Sequence, residues 1–337
     1  MTFNNIYYFF RVLKTGFTPR KILNAVKLFL SYRLSLAGLN TGWKLSPLFI
    51  SIEPTNVCNL HCPECPVGMR TVSSERVNVN DKMVKKLIDE LQSTLTHVIF
   101  YFQGEPLMNM NFTNMVKYAH SKNLLTSTST NAQLITSETA KKLVESGLDR
   151  LIISIDGATQ ETYEAYRIGG RLDKAIAGVE NLIKWKKVLN SPSPYVEIQF
   201  LVLKTNEHQM LEMKQLTKRL KADKLTFKSA QLYNFENGSP LLPDNKRYAR
   251  YEQKQDGKYY IKNRLLNRCR RMLYGTVVTS NGDVLPCCFD KDSSFVFGNL
   301  KDKSFADCRN GTKAVEFRNK LLKNRKQFDM CRNCTEK

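Results

Sequence analysis

The chain has 337 residues, 42% of them hydrophobic, with nine cysteines and a formal net charge of +21. That is ample for a packed core and suits two domains or one large barrel with an extension. No continuous apolar run approaches 18 residues and no small-residue cleavage site follows the short block Ile6 to Phe10, so neither a spanning helix nor a secretory signal is expected. The cysteines are odd in number and mostly clustered, a pattern of metal ligation in a reducing cytoplasm rather than of disulfides.

Residues 1–47 form a basic extension. Arg11, Lys14, Arg20, Lys21, Lys27, Arg33 and Lys44 fall among the first 50 residues, which hold no Asp or Glu. Thr18 and Pro19 predict the cap and start of a helix running to about Leu36. Its mixture of apolar and basic residues suits an anionic membrane surface, at the inner face of a cell membrane. A helix packed on the next domain with its charges solvated explains the same pattern. So does a transit peptide, although the segment runs unbroken into the first strand. Nucleic acid is a further taker for such charge, but no nucleic-acid motif accompanies it.

From Leu48 the pattern alternates strand and helix. Strands are predicted at about 48–53, 96–102, 124–128, 150–155, 195–203 and 224–228. Helices are predicted at about 81–91, 112–120, 136–146, 171–189 and 206–220. Six such units over residues 48–229 predict an α/β fold, a partial (βα)6 TIM-like barrel with functional loops at the C-terminal strand ends. The first loop carries Cys58, Cys62 and Cys65 in a C-x3-C-x2-C spacing. Three thiolates this close wrap one iron–sulfur cube and leave its fourth iron open. Zinc with His61 as a fourth ligand, or plain buried thiols, are the other readings of the spacing alone.

This run resembles the signature of radical SAM (S-adenosylmethionine) enzymes. The resemblance implies that Cys58, Cys62 and Cys65 hold a 4Fe-4S cluster whose open iron chelates SAM. One electron then cleaves SAM to methionine and a 5′-deoxyadenosyl radical. Gly104-Glu105-Pro106, after the second strand, resembles the Gly-Gly-Glu-Pro motif of the same family, with Gln103 in place of the first Gly. The resemblance gives this element to the amino group of SAM. It gives Ser129 and Asn131, Ser154 and Asp156 to the ribose and carboxylate. Arg167 is a candidate fork for the carboxylate, or a solvated arginine at a helix end. Glu64 stands where many members carry an aromatic residue, and Leu201 to Thr205, at the end of the fifth strand, offer an apolar wall for adenine.

Residues 230–337 change character. Asn281-Gly282 predicts a hairpin that delivers Cys287, and Cys331-Arg-Asn-Cys334 forms a second close pair. Cys269, Cys287, Cys331 and Cys334 make a four-thiolate set suited to a closed iron–sulfur cluster or to zinc. The arrangement resembles the auxiliary-cluster domains called SPASM and twitch, which implies a second 4Fe-4S cluster here. Its cysteine gaps are close to those of the radical SAM dehydrogenase that oxidises scyllo-inosamine. Cys288 and Cys308 are left as buried thiols, Cys288 competing with Cys287 as a ligand. The resemblance as a whole implies a cytoplasmic radical SAM oxidoreductase that oxidises an alcohol carbon of a sugar, cyclitol or lipid-linked glycan. A flavodoxin or ferredoxin would supply its electrons. A peptide- or protein-modifying maturase is the alternative within the family. A zinc-stabilised membrane or nucleic-acid adaptor is the alternative outside it.

Overall fold

A computed structural model describes residues 3–39, 41–69 and 75–335; Met1, Thr2, Asn40, residues 70–74, Glu336 and Lys337 lie outside it. The chain opens with two helices, α1 (Phe3–Gly16) and α2 (Pro19–Leu36). Thr18 caps α2 by accepting from the Lys21 amide, and Pro19 starts it, as expected. Six parallel strands follow side by side in chain order: β1 (Phe49–Ile52), β2 (His97–Ile99), β3 (Leu125–Thr130), β4 (Arg150–Ser154), β5 (Tyr195–Val202) and β6 (Lys224–Ser229). The crossovers carry α3 (Asp81–Leu91), α4 (Phe112–Ser121), α5 (Ser137–Glu145), α6 (Gln160–Glu164) with α7 (Leu172–Val188), and α8 (Met210–Arg219).

Local chemistry explains these elements. Asn80 caps α3 by accepting from the amides of Lys82 and Met83, and Val84, Leu87, Ile88 and Leu91 form its buried stripe. On β5, Ile198, Phe200 and Val202 are fully buried in the main apolar core, while Glu197, Gln199 and Leu201 turn to the opposite face. Each fully buried side chain of this kind stabilises the fold by about 1.5–3 kcal/mol. The (βα)6 arrangement is therefore as expected, and its five inter-strand connections bring the strand-end loops to one rim.

The sheet does not stop at residue 229. After the small hairpin β7 (Tyr251–Gln253) and β8 (Tyr259–Ile261) comes the short helix α9 (Arg271–Tyr274), and then β9 (Gly275–Val278) pairs in parallel with β1, Phe49 opposite Gly275. β10 (Asp283–Leu285) and β11 (Gly298–Asn299) extend it, so one nine-stranded sheet carries both segments. Gly282 sits at φ +93° in the β9–β10 turn, the left-handed conformation that the Asn-Gly signal implies. Helices α10 (Phe305–Asn310), α11 (Thr312–Lys323) and α12 (Asp329–Arg332) close the chain. The change of character at residue 230 is one of composition; the sheet crosses it.

Helix α1 has no counterpart among the predicted elements, because its apolar residues face away from the protein. Its polar side holds it instead. Arg11 Nε donates to Asp149 at 2.7 Å, Asn4 donates to Asp223, and the Tyr8 ring stacks on Tyr195 at 5.2 Å. Both members of the Arg11–Asp149 pair are buried. Arg11→Met is expected to destabilise the fold by about 3 kcal/mol, since Asp149 keeps the Thr126 donors but loses its countercharge. Urea unfolding measures it; a change within experimental error would show the pair to be neutral. Among the described residues no helix is long and apolar enough to cross a membrane.

Candidate functional site

The loop after β1 brings Cys58, Cys62 and Cys65 to the rim, where they join Leu60, Tyr166, Leu203 and Leu232 in a small apolar cluster. The loop is clamped from three sides. From the α6 side, the His61 amide donates to the Ile168 carbonyl at 3.0 Å, and Arg167 Nη1 lies 3.8 Å from Cys62 Sγ. From the β3 side, Asn131 Nδ2 donates to Asn59 at 2.8 Å and lies 3.9 Å from Cys58 Sγ. From the β2 side, the Glu105 amide donates to the Val57 carbonyl at 2.8 Å. Burial pushes the Cys58 thiol up to about 11. Burial also raises Cys62, opposed by the Arg167 guanidinium. A dry thiol pocket disfavours free thiolate and suits one neutralised by a metal.

Gly104 explains why this loop needs glycine. It adopts φ +69°, and a Cβ there would stand 2.2 Å from the Thr55 carbonyl oxygen and 2.9 Å from that of Val57. No other residue fits against the cysteine loop without displacing backbone. Gly104→Ala is expected to cut both core-cluster iron and SAM cleavage at least tenfold, from strain of about 1–3 kcal/mol plus the clash. Iron assay and 5′-deoxyadenosine release check it; wild-type values in both would refute the packing argument.

The carboxylates assigned to SAM are committed within the protein. Glu105 is buried, with Oε1 accepting from Thr130 Oγ1 and the Leu107 amide and Oε2 from the Asn131 amide. Asp156 is fully buried, one oxygen accepting from Arg167 Nε at 2.6 Å and the other from the Leu201 amide at 2.6 Å. Both brace the rim and order the loops around the cysteines. Arg167 is no solvated helix-end arginine: burial opposes its charge, but Asp156 and Cys62 hold it well above the usual guanidinium value. Pro106 starts a short 3-10 turn; Ser154 is buried and Ser129 half-buried at the same rim.

At the other end of the sheet Cys269, Cys287, Cys331 and Cys334 line one small apolar cavity with Phe317, Leu321 and Arg325. Arg325 is buried and donates to Cys334 Sγ at 3.2 Å and to the Arg268 carbonyl. Burial pushes Cys331 up to about 11, against the pull of Arg325. Cys287, and not Cys288, lines this cavity. Cys308 is a buried core thiol against Gly298. No two cysteines among the described residues are joined by a disulfide. Among the described residues no three His, Cys, Asp or Glu groups stand close enough to hold a single ion. Three thiols at the rim and four around one cavity are donor sets that suit iron–sulfur cubes.

Contacts between residues far apart in the chain connect the two thiol sets. Gln103, in place of a glycine, donates to the Lys291 carbonyl at 2.6 Å. Glu53 accepts from the Ser280 amide and hydroxyl. Glu64 accepts from the Tyr233 amide, and the Tyr233 hydroxyl donates to Asp292 at 2.5 Å. These welds frame a cleft of about 350 Å³ that runs from Cys58 and His61 past Arg76 and Gln103 to Asp283 and Lys291. A second recess of about 420 Å³ shares Lys291 and Asp292 and continues past Tyr233 and Glu236 to Arg332. The departures from family pattern at Gln103 and Glu64 are sequence signals of these contacts.

A family model described as Radical SAM superfamily matches residues 52–217, and one described as Iron-sulfur cluster-binding domain (SPASM) matches residues 269–335. The AdoMet-dependent heme synthase of Methanosarcina barkeri is 32% identical over 178 residues, 52% of this chain and 49% of that protein. The PqqA peptide cyclase of Bradyrhizobium diazoefficiens is 27% identical over 202 residues, 58% of this chain and 50% of that protein. The match thus spans about half the length of these relatives. Among solved structures, Streptococcus suis SuiB bound to S-adenosylmethionine superposes with TM-score 0.63 at 17% identity, over 85% of this chain and 70% of that one, a likeness of fold.

Proposed function

Because the chain belongs to the radical SAM superfamily and carries a SPASM iron–sulfur domain, we propose that it modifies a peptide by abstraction of a hydrogen atom. Its cofactors are SAM, a 4Fe-4S cluster on Cys58, Cys62 and Cys65, and an auxiliary cluster on Cys269, Cys287, Cys331 and Cys334. When bound, the first cluster and SAM supply a 5′-deoxyadenosyl radical. The protein's own part is to hold and dry the site. Arg167 places positive charge beside Cys62, braced by Asp156. Asn131 and Gly104 fix the cysteine loop. Gly104, Glu105 and Pro106, with Ser129, Asn131, Ser154, Asp156 and Arg167, form the rim against which SAM would lie.

The observation that carries the peptide reading is the trough. Two recesses of about 350 and 420 Å³ share Lys291 and Asp292 and are lined by residues from Cys58 to Arg332. Charges of both signs line it, with Arg76, Lys291 and Arg332 against Asp283, Asp292 and Glu236. That suits side chains and backbone of an extended segment. The similarity to a peptide cyclase supports the same reading. The expectation of a sugar, cyclitol or lipid-linked glycan substrate gives way to it; the relatives described above are named for a peptide cyclase and a heme synthase. Alcohol oxidation keeps one observation in its favour, the polar lining of the recess nearest Cys58. A flavodoxin or ferredoxin would serve as electron donor in either case.

The test uses the anaerobically reconstituted full chain with SAM and dithionite. A small-molecule extract of the producing cells should stimulate 5′-deoxyadenosine release, and protease digestion of the extract should remove the stimulation. Stimulation that survives protease but is destroyed by periodate, which cleaves vicinal diols, would sink the peptide reading and restore the sugar one.

A further inference from the structure

Helix α2 is built inside out. The side chains it turns to the protein are Lys21, Asn24, Ser31 and Tyr32 around a single buried Leu28. Lys21 Nζ donates to the Thr15 carbonyl at 2.9 Å, and Asn24 donates to the Ser46 carbonyl at 3.1 Å. The side chains it turns outward are Ile22, Val26, Phe29 and Leu30, between 42% and 54% exposed. α1 repeats the inversion. Arg11, Tyr8 and Asn4 grip the barrel, while Ile6, Phe9, Phe10 and Phe17 are exposed, Phe17 by 69%. Thirteen of the twenty-one large hydrophobic side chains exposed among the described residues lie between Ile6 and Trp43. A helix that merely packs on a barrel shows the opposite polarity. An apolar surface gathered on one face needs an occupant.

Charge names the occupant. Arg20, Lys27, Arg33 and Lys44 are exposed in the same segment, and no acidic residue precedes Glu53. On the helical wheel Arg33 falls within the apolar arc of α2, and Arg20 and Lys27 flank it. Aromatic and aliphatic side chains rimmed by basic ones match the acyl–headgroup boundary of an anionic bilayer. We propose that α1 and α2 seat the enzyme on an anionic lipid surface, inserting the Ile6–Phe17 and Ile22–Leu30 arcs with the arginines and lysines at headgroup level. The polar inner faces keep the helices attached to the barrel while they do so. This inference is independent of which substrate the trough holds.

The test is co-sedimentation of the full reconstituted chain with vesicles of phosphatidylcholine alone and of phosphatidylcholine mixed with phosphatidylglycerol. Binding is expected to the mixed vesicles, weakening with salt, and little to the neutral ones. Each basic residue near the surface is worth about fivefold in partitioning. Replacing Arg20, Lys27, Arg33 and Lys44 by glutamine should therefore lower binding at least tenfold. Phe29→Glu with Leu30→Glu should abolish it by removing insertion. SAM cleavage, read in the same variants, should stay at the wild-type level, because neither set touches the rim. Absence of binding to both vesicle types overturns the proposal, as does equal binding to both. So does a wild-type dimer that the Phe29/Leu30 variant converts to monomer without any vesicle binding, which would make the face a contact between two copies.

Discussion

Serine at any one of Cys58, Cys62 or Cys65 is expected to abolish 5′-deoxyadenosine formation and to remove about four irons per chain. The set has no spare. Three thiolates leave one iron open for SAM, and a serine hydroxyl, protonated at neutral pH, does not replace a thiolate. His61 is poorly placed to substitute, since its amide is fixed by the Ile168 carbonyl and its ring lines the cleft. Burial raises the Cys58 and Cys62 thiols, so a bound cluster would supply what holds them ionised. The folded chain should tolerate the change, as Cys58 and Cys65 are only half-buried. Thermal melting of the iron-free proteins should therefore separate lost chemistry from lost fold. Cys308→Ser serves as a control with both clusters retained, because that thiol packs against Gly298 in the core. Cleavage that survives in all three core variants would remove the basis of the enzyme reading.

The cysteine loop and the motif that supports it are legible in the sequence, and the reason is local. Three cysteines within eight residues, and Gly104-Glu105-Pro106 at a strand end, are short-range signals. So are the α3 stripe and the Asn281-Gly282 turn, which depend on neighbours in sequence. What stays hidden depends on partners far apart. Asp156 reads as a ribose ligand, and its ion pair with Arg167 is invisible in the sequence. Glu105 reads as an ammonium acceptor, and that Thr130 and Asn131 orient its oxygens is invisible in the sequence. Gln103 reads as a departure from a motif until Lys291, 188 positions on, accepts its amide. α1 escapes because apolar periodicity is read as a buried face, and here that face is turned out.

Removing the auxiliary set is expected to split the two halves of the activity. Cys331→Ala should cost about four irons, leave SAM cleavage in place, and abolish turnover of the peptide product. Four thiolates close the cavity, so no metal position there is open to substrate, and what remains is electron transfer or scaffolding. The cavity wall is the second reason for a large effect. Arg325 donates to Cys334 and to the Arg268 carbonyl, and Asn333 donates to the Leu232 carbonyl while accepting from Tyr251. Losing the metal thus loosens the strand-end segment that frames the trough. A bound cluster stabilises the segment it ties together, so the variant should melt below the parent while the core sheet stays folded. A variant that melts early yet still makes product would assign the set to scaffolding alone. One that keeps its melting temperature and its product would show that these thiols hold no resident metal. Loss of SAM cleavage along with product would mean that the Gln103–Lys291 and Glu53–Ser280 welds transmit the damage to the core loop, and Gln103→Ala should then reproduce it without touching a cysteine.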